Sequence, residues 1–527
     1  MRNLDTWSRV QSAACLPETA DLFSEEEEVI VGDGYQALRN GDHEQTVEVI
    51  GNTSSSTSSG KTKRFRSLDI MRGVIMVIMA WDHTKDIIAN TTQKGQEGWN
   101  GEGATWRNNF FFFFSRAISD ICAPGFYFTM GISMVLFTNS RLNKLWSWNA
   151  IMRHFFLRSI ILLVVGRLVN PPFMVPNLVG ILLGGAVEDW RNPEKVYNLS
   201  NVDEYIKKMV IGVFEVMTGL ALVMLIAGVF FLFPMFRLYR ERRKVIVKFL
   251  GTFIPAEVTG WLFFVLLFTV SNIVIVHYQH GNPRTKDENI WPNRPSENLW
   301  EDFLRFFLIP GPVRNDTYAS YPVVPWLGVT LLGMGFGFSF LENREQTQIK
   351  LGKIAIMFLI LFFIIRTFGG SVGNLRGYPR HDGRGDDQFH VEWIIEYFYM
   401  SKYPPSISYA LFWLSMNFGL IRLFSTKMFD MPDHVGDVRI LSFMPHKISK
   451  ILLIYGRVPL FFYTLHFWII CTCFGIPLVL VNGVDYRVPL PLAIPFWIVL
   501  IIVLYPICLR YGKFKQSKPA DSWWHLI

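Results

Sequence analysis

The chain has 527 residues, half of them hydrophobic, 15% aromatic and 18% charged, whereas water-soluble domains carry about a quarter charged residues. Its formal charge of +8 gathers at the ends of apolar runs, at Lys61 to Arg66, Arg237 to Lys248 and Arg510 to Lys518, a pattern that orients helices in a bilayer and excludes nucleic acid as the partner. Cys15 lies in a polar tail and Cys122, Cys471, Cys473 and Cys508 in apolar segments, so no disulfide framework is implied.

Residues 1–63 hold an acidic run, Glu25 to Glu28, and a Ser/Thr tract, Thr53 to Ser59, with no apolar stretch that could serve as a signal-peptide core. They read as a disordered cytosolic tail. The first apolar helix then acts as an uncleaved signal anchor held inside by Lys61, Lys63, Arg64 and Arg66.

Residues 64–527 form the multi-pass domain. Hydropathy predicts spans at 67–89, 117–138, 154–169, 210–235, 250–277, 322–341, 352–369, 404–424, 452–476 and 490–510. The fold class expected is an all-α polytopic membrane protein, with about ten transmembrane helices in one bundle and both termini cytosolic. Every even-numbered connection then lies inside, and these carry Arg141, Lys144 and Arg153; Arg240, Arg242, Arg243 and Lys244; Arg344 and Lys350; and Lys427, Arg439, Lys447 and Lys450. That satisfies the positive-inside rule. The sequons at Asn90, Asn198 and Asn315 fall in outside loops, where glycosylation operates, and Asn52 falls in the silent tail. The apolar stretch from Phe173 to Ala186 is too short to span comfortably and is expected to dip into the outer leaflet. Composition places the chain in an endomembrane or the plasma membrane without choosing between them.

Chemistry concentrates in the first span, which runs from Ser67 to Asp86. Arg72 and His83 are eleven residues apart, close to three turns or about 16 Å on one helix face. Asp69 and Asp86 flank them one turn beyond each end, where Asp69 can pair with Arg72 and Asp86 with His83. Ionisable groups inside a span mark a pathway or a reaction site. The alternative is that Arg72 snorkels to cytosolic headgroups while His83 caps the outer end.

A first helix that opens Leu68-Asp69-x-x-Arg72-Gly73 and continues to His83 resembles the membrane acyltransferase-3 group. The wider set is Cys122-Ala-Pro-Gly-Phe-Tyr-Phe, Tyr321-Pro-Val-Val-Pro-Trp-Leu-Gly, Lys402-Tyr-Pro-Pro-Ser, Gly456-Arg-Val-Pro-Leu-Phe-Phe-Tyr-Thr-Leu-His466 and a closing Trp523-Trp524. It resembles more closely the membrane proteins grouped with the catalytic domain of heparan-α-glucosaminide N-acetyltransferase, from about residue 66 onward.

The resemblance implies a transmembrane acyltransferase that carries an acyl group, acetyl foremost, from cytosolic acyl-CoA to an acceptor amine or hydroxyl outside. It implies no permanently bound cofactor, with acetyl-CoA or another acyl-CoA as co-substrate and a saccharide as candidate acceptor. Arg72, supported by Asp69, would meet a CoA phosphate, and an extended pantetheine arm would reach His83. His83 would act as general base or transient acyl carrier, and the base is favoured. One departure matters. The heparan enzyme carries a catalytic histidine just before a Ser-Trp-Asn-Gly stretch of its first luminal loop, whereas this chain has Gly98-Trp99-Asn100-Gly101 and no histidine there. Trp99 and Asn100 remain candidates for contacting the acceptor.

His466 lies nine residues beyond Arg457 in the ninth span. Its depth should match that of His83, so it could pair with that histidine or simply pack. Arg457 is a candidate for holding the cofactor, off the His466 face unless Pro459 bends the helix start. The outside segment 370–403 offers Arg384, Asp386, Trp393 and Lys402 for acceptor recognition, while its His381, Asp382, Asp387 and His390 fit no compact metal site. Glu215 and Arg366 are further intramembrane charges that a structural ion pair would explain. Phe110 to Phe114 mark a membrane interface, and Pro404-Pro405 fixes a helix start. A proton-coupled or solute transporter using the same groups is the rival class, as is a member that lost its chemistry, but no internal repeat supports a transporter.

Overall fold

A computed structural model describes residues 65–90, 110–189, 192–211, 213–241, 256–278, 295–314, 317–375, 391–426, 440–519 and 522–526. Residues Lys63–Ile527 form one compact unit, and Met1–Thr62 form a second that lies outside the described residues.

The helices follow the apolar runs. They are α1 (Arg66–Ile88), α2 (Phe110–Asn143), α3 (Trp148–Leu182), α4 (Val202–Ile211), α5 (Val216–Arg240), α6 (Ala256–Tyr278), α7 (Leu299–Phe307), α8 (Val323–Glu342), α9 (Arg344–Phe368), α10 (Val391–Phe398), α11 (Ile407–Phe424), α12 (Ile440–Arg457), α13 (Pro459–Asp485) and α14 (Leu490–Gln516). Among the described residues, eight helices are long and apolar enough to cross a membrane: α2, α5, α6, α8, α9, α11, α13 and α14. The protein is therefore a multi-pass helical membrane protein. The remaining long helices, α1 and α3, have 23 and 35 residues. α1 carries Asp69, Arg72, Asp82, Lys85 and Asp86, so its fitness for the membrane depends on what it packs against rather than on its own composition.

Three boundaries differ from the sequence expectation. The stretch beginning at Phe173, expected as a segment separate from the preceding span, continues α3 as far as Leu182. At 1.5 Å per residue that helix is about 50 Å long. Near its far end Pro176 packs against Gly475 of α13, one of the neighbouring helices that lie along it. Glu215 is the residue preceding α5 rather than part of its interior. The expected span 452–476 is divided: α12 ends at Arg457, Val458 leaves helical geometry, and Pro459 opens α13. Proline suits a first helical position because it has no N–H to satisfy there.

Two small sheets depart from an all-α fold. β1 (Val187–Asp189) and β2 (Asn192–Tyr197) pair antiparallel after α3. β3 (Val213–Phe214) pairs parallel with β5 (Thr317–Ala319), and β4 (Gly311–Val313) joins β5 antiparallel, so the segments leading into α5 and α8 are tied together.

α8 is buried on nearly all sides, between α2 and α6. α1 packs against α12, α14, α11, α2 and α13. Its crossing with α12 depends on two glycines. A Cβ at Gly73 would lie 1.9 Å from the Leu452 carbonyl oxygen, and one at Gly456 would lie 1.7 Å from that of Asp69. Only glycine permits so close a backbone approach, and both belong to the motifs that flank Arg72 and Arg457.

Candidate active site along the first helix

His83 and His466 meet. The Nδ1 of His83 is 2.7 Å from the Nε2 of His466, and the rings are nearly parallel with centroids 5.0 Å apart. The other nitrogen of His466, Nδ1, is 3.1 Å from the Phe462 carbonyl oxygen. A carbonyl only accepts, so His466 Nδ1 carries a proton and, in the neutral ring, its Nε2 accepts from His83 Nδ1–H. The consequence is a free lone pair on His83 Nε2. His466 is fully buried, whereas His83 is partly exposed, so His83 is the ring a ligand can reach and His466 the one that fixes its tautomer. Phe467, with its centroid 4.2 Å from that of His83, and Tyr463, edge-on at 6.0 Å, complete the wall. α13 then passes through a π-helical turn at Ile469–Gly475, a local widening frequent near functional sites.

The expected pairing of Asp86 with His83 is not formed; Asp86 lies 3.5 Å from Arg116. A denser network surrounds the pair instead. Arg116 Nη1 donates to Asp82 at 2.8 Å, Lys85 Nζ lies 2.9 Å from the same carboxylate, and Lys85 also donates to the Ser115 carbonyl at 3.2 Å. Lys402, expected at the acceptor, is buried in a 2.9 Å ion pair with Asp120. Asp82, Lys85, Arg116 and Asp120 were legible only as helical spacings: Asp82 with Lys85 at i,i+3, and Arg116 with Asp120 at i,i+4. Nothing in the sequence joins α1 to α2.

At the other end of α1, the expected pair is present: Arg72 Nη1 donates to Asp69 at 3.1 Å. Arg72 Nη2 also donates to the Thr129 carbonyl at 3.3 Å and to the Ser133 hydroxyl of α2. Helical spacing over eleven residues separates this group from His83 by about 16 Å. Arg457 ends α12, so it and His466 lie on different helices.

The distant motifs converge. Tyr127 stacks on Trp326 at 4.7 Å, Tyr321 and Tyr403 share a 3.2 Å contact between hydroxyls, and Tyr409 donates to the Asp120 carbonyl at 2.9 Å. Tyr463, from the motif that ends at His466, touches both His466 and His83. Arg366 donates to the carbonyls of Tyr397 and Glu396, not to Glu215; the charged neighbour of Glu215 is Arg167.

Trp99, Asn100, Arg384, Asp386 and Asn315 lie outside the described residues, and Trp393 falls in the backbone of α10. Asn90 and Asn198 are exposed. Asn198 Oδ1 caps a short 3-10 turn by accepting from the Ser200 backbone at 2.9 Å. Among the described residues no group of three or more His, Cys, Asp or Glu could hold a metal ion. No protein-family model matches the chain, and no curated protein does either.

Proposed function

We propose that this protein is a membrane-embedded acyltransferase, with ten spans formed by the eight apolar helices together with α1 and α3 and with cytosolic termini. Acyl-CoA, acetyl-CoA foremost, is the donor, and an amine or hydroxyl on the outer side, on a carbohydrate by the resemblance, is the acceptor. The observation that carries the proposal is the histidine pair, which leaves His83 Nε2 unprotonated three turns from Arg72 on the same helix.

In the proposed reaction His83 Nε2 takes the proton from the acceptor N–H or O–H as that atom attacks the thioester carbonyl. The new acyl–N or acyl–O bond forms, the C–S bond breaks, and the leaving CoA thiolate takes up the proton that His83 holds. His466 keeps Nδ1 of His83 protonated throughout, and the nearby Asp82 offsets the positive charge the ring gains.

The test is consumption of acetyl-CoA by the purified protein with candidate amines and sugars, compared with His83→Ala. Turnover that His83→Ala leaves unchanged sinks the assignment. The second class, a proton-coupled transporter, draws support from the Asp82–Lys85–Arg116 network; proton-driven solute uptake into proteoliposomes, without acyl-CoA consumption, would favour it.

A further inference from the structure

Arg158 of α3 is not used by the reaction above. α2 and α3 are joined by the four residues between Asn143 and Trp148, a link short enough to fold the second helix back on the first as an antiparallel hairpin. Their register is set by Phe137, on which His154 stacks at 4.2 Å and Phe155 packs edge-on at 5.6 Å. Ser133 precedes Phe137 by one turn, and Arg158 follows His154 by one turn. In an antiparallel pair these positions share a level. Ser133 is the residue whose hydroxyl holds Arg72, so two guanidinium groups are brought to the same depth from opposite helices.

Their circumstances differ. Arg72 has Asp69 at 3.1 Å. The Nε of Arg158 is buried and has no hydrogen-bond partner, and the charged neighbour acting on it is Arg72 itself. Two half-buried cations held close together repel, and each keeps part of its desolvation cost, unless an anion joins them. The planar fork of arginine matches a phosphate, which can accept two parallel N–H bonds from each.

We infer that Arg158 and Arg72 together form a binding site for a phosphate group, approached from the α2–α3 connection. His154 lines that approach, as does Arg141, whose guanidinium lies 4.7 Å from the Trp146 ring. The identity of the ligand as acyl-CoA rests on the function proposed above; the phosphate of an anionic lipid has the same chemistry.

The experiment uses the full-length protein in nanodiscs of neutral lipid and of lipid containing phosphatidic acid. CoA and pantetheine, which lacks the phosphates, serve as probes. For Arg158→Gln, CoA binding is expected to weaken about tenfold, the worth of one charge-assisted bond, while pantetheine binding and thermal stability are unchanged. Arg158→Lys should recover part of the affinity, because it restores the charge without the fork. If the glutamine variant binds CoA normally but retains less phosphatidic acid, the phosphate site stands and its ligand is a lipid. If it alters neither CoA affinity nor lipid retention, the inference is overturned. Loss of the function proposal through His83→Ala leaves this readout untouched, since CoA binding is measured without turnover.

Discussion

The two ends of α1 solve the same electrostatic problem in opposite ways. Around His83 the charges are matched: Asp82 and Asp86 face Lys85 and Arg116, and Asp120 faces Lys402. Around Arg72 the Asp69 carboxylate pairs with one guanidinium while a second, that of Arg158, lies nearby. A matched network holds geometry, here the ring that presents His83 Nε2. Two neighbouring cations hold a position for an anion. One helix thus carries a rigid end suited to chemistry and a charged end suited to binding, about 16 Å apart.

Four substitutions break or sharpen this contrast. Asp82→Asn should have the largest effect, because it removes the carboxylate paired with the fully buried Lys85 and shared with Arg116; a loss of about 3 kcal/mol or more is expected as a lowered unfolding temperature in detergent. His83→Ala should reduce acyl transfer about a hundredfold or more, with the unfolding temperature and CoA affinity close to wild type. Gly456→Ala would press a methyl into the Asp69 carbonyl and tilt α1 against α12. It should cost about 2 kcal/mol of stability and lower CoA affinity through Arg72. Arg72→Lys should have the smallest effect, weakening CoA binding about fivefold by losing the fork while retaining the charge. If Arg72→Lys reduced turnover of bound substrate instead of affinity, the division between a binding end and a reacting end would fail.

The proposed outward direction of the His83 end has its own measurement. Asn198→Gln should remove one glycosidase-sensitive step in the mobility of the protein made in glycosylating membranes. A wild-type chain without that step would remove the support that Asn198 gives to the proposed orientation.

The sequence by itself determined the multi-pass helical character, since long apolar runs have no other stable solvent, and the Asp69–Arg72 pair, since i,i+3 neighbours on one helix meet regardless of the rest of the fold. It also determined that Arg72 and His83 share a face, because the helical period is fixed by backbone geometry. Three features were decided only by tertiary structure. The partner of His83 is His466, separated by 383 positions in the chain, and α2 supplies Arg116 to Asp82 and Asp120 to Lys402. The 35 residues of α3 run as one helix despite prolines that local rules read as interruptions, because neighbouring helices pack along it. The position of Arg158 opposite Ser133 follows from how α3 returns against α2. Periodicity assigns a side chain to a face of its own helix; which groups gather opposite that face is settled by packing, and here packing brings His466 to His83 at one end and Ser133 to Arg72 at the other.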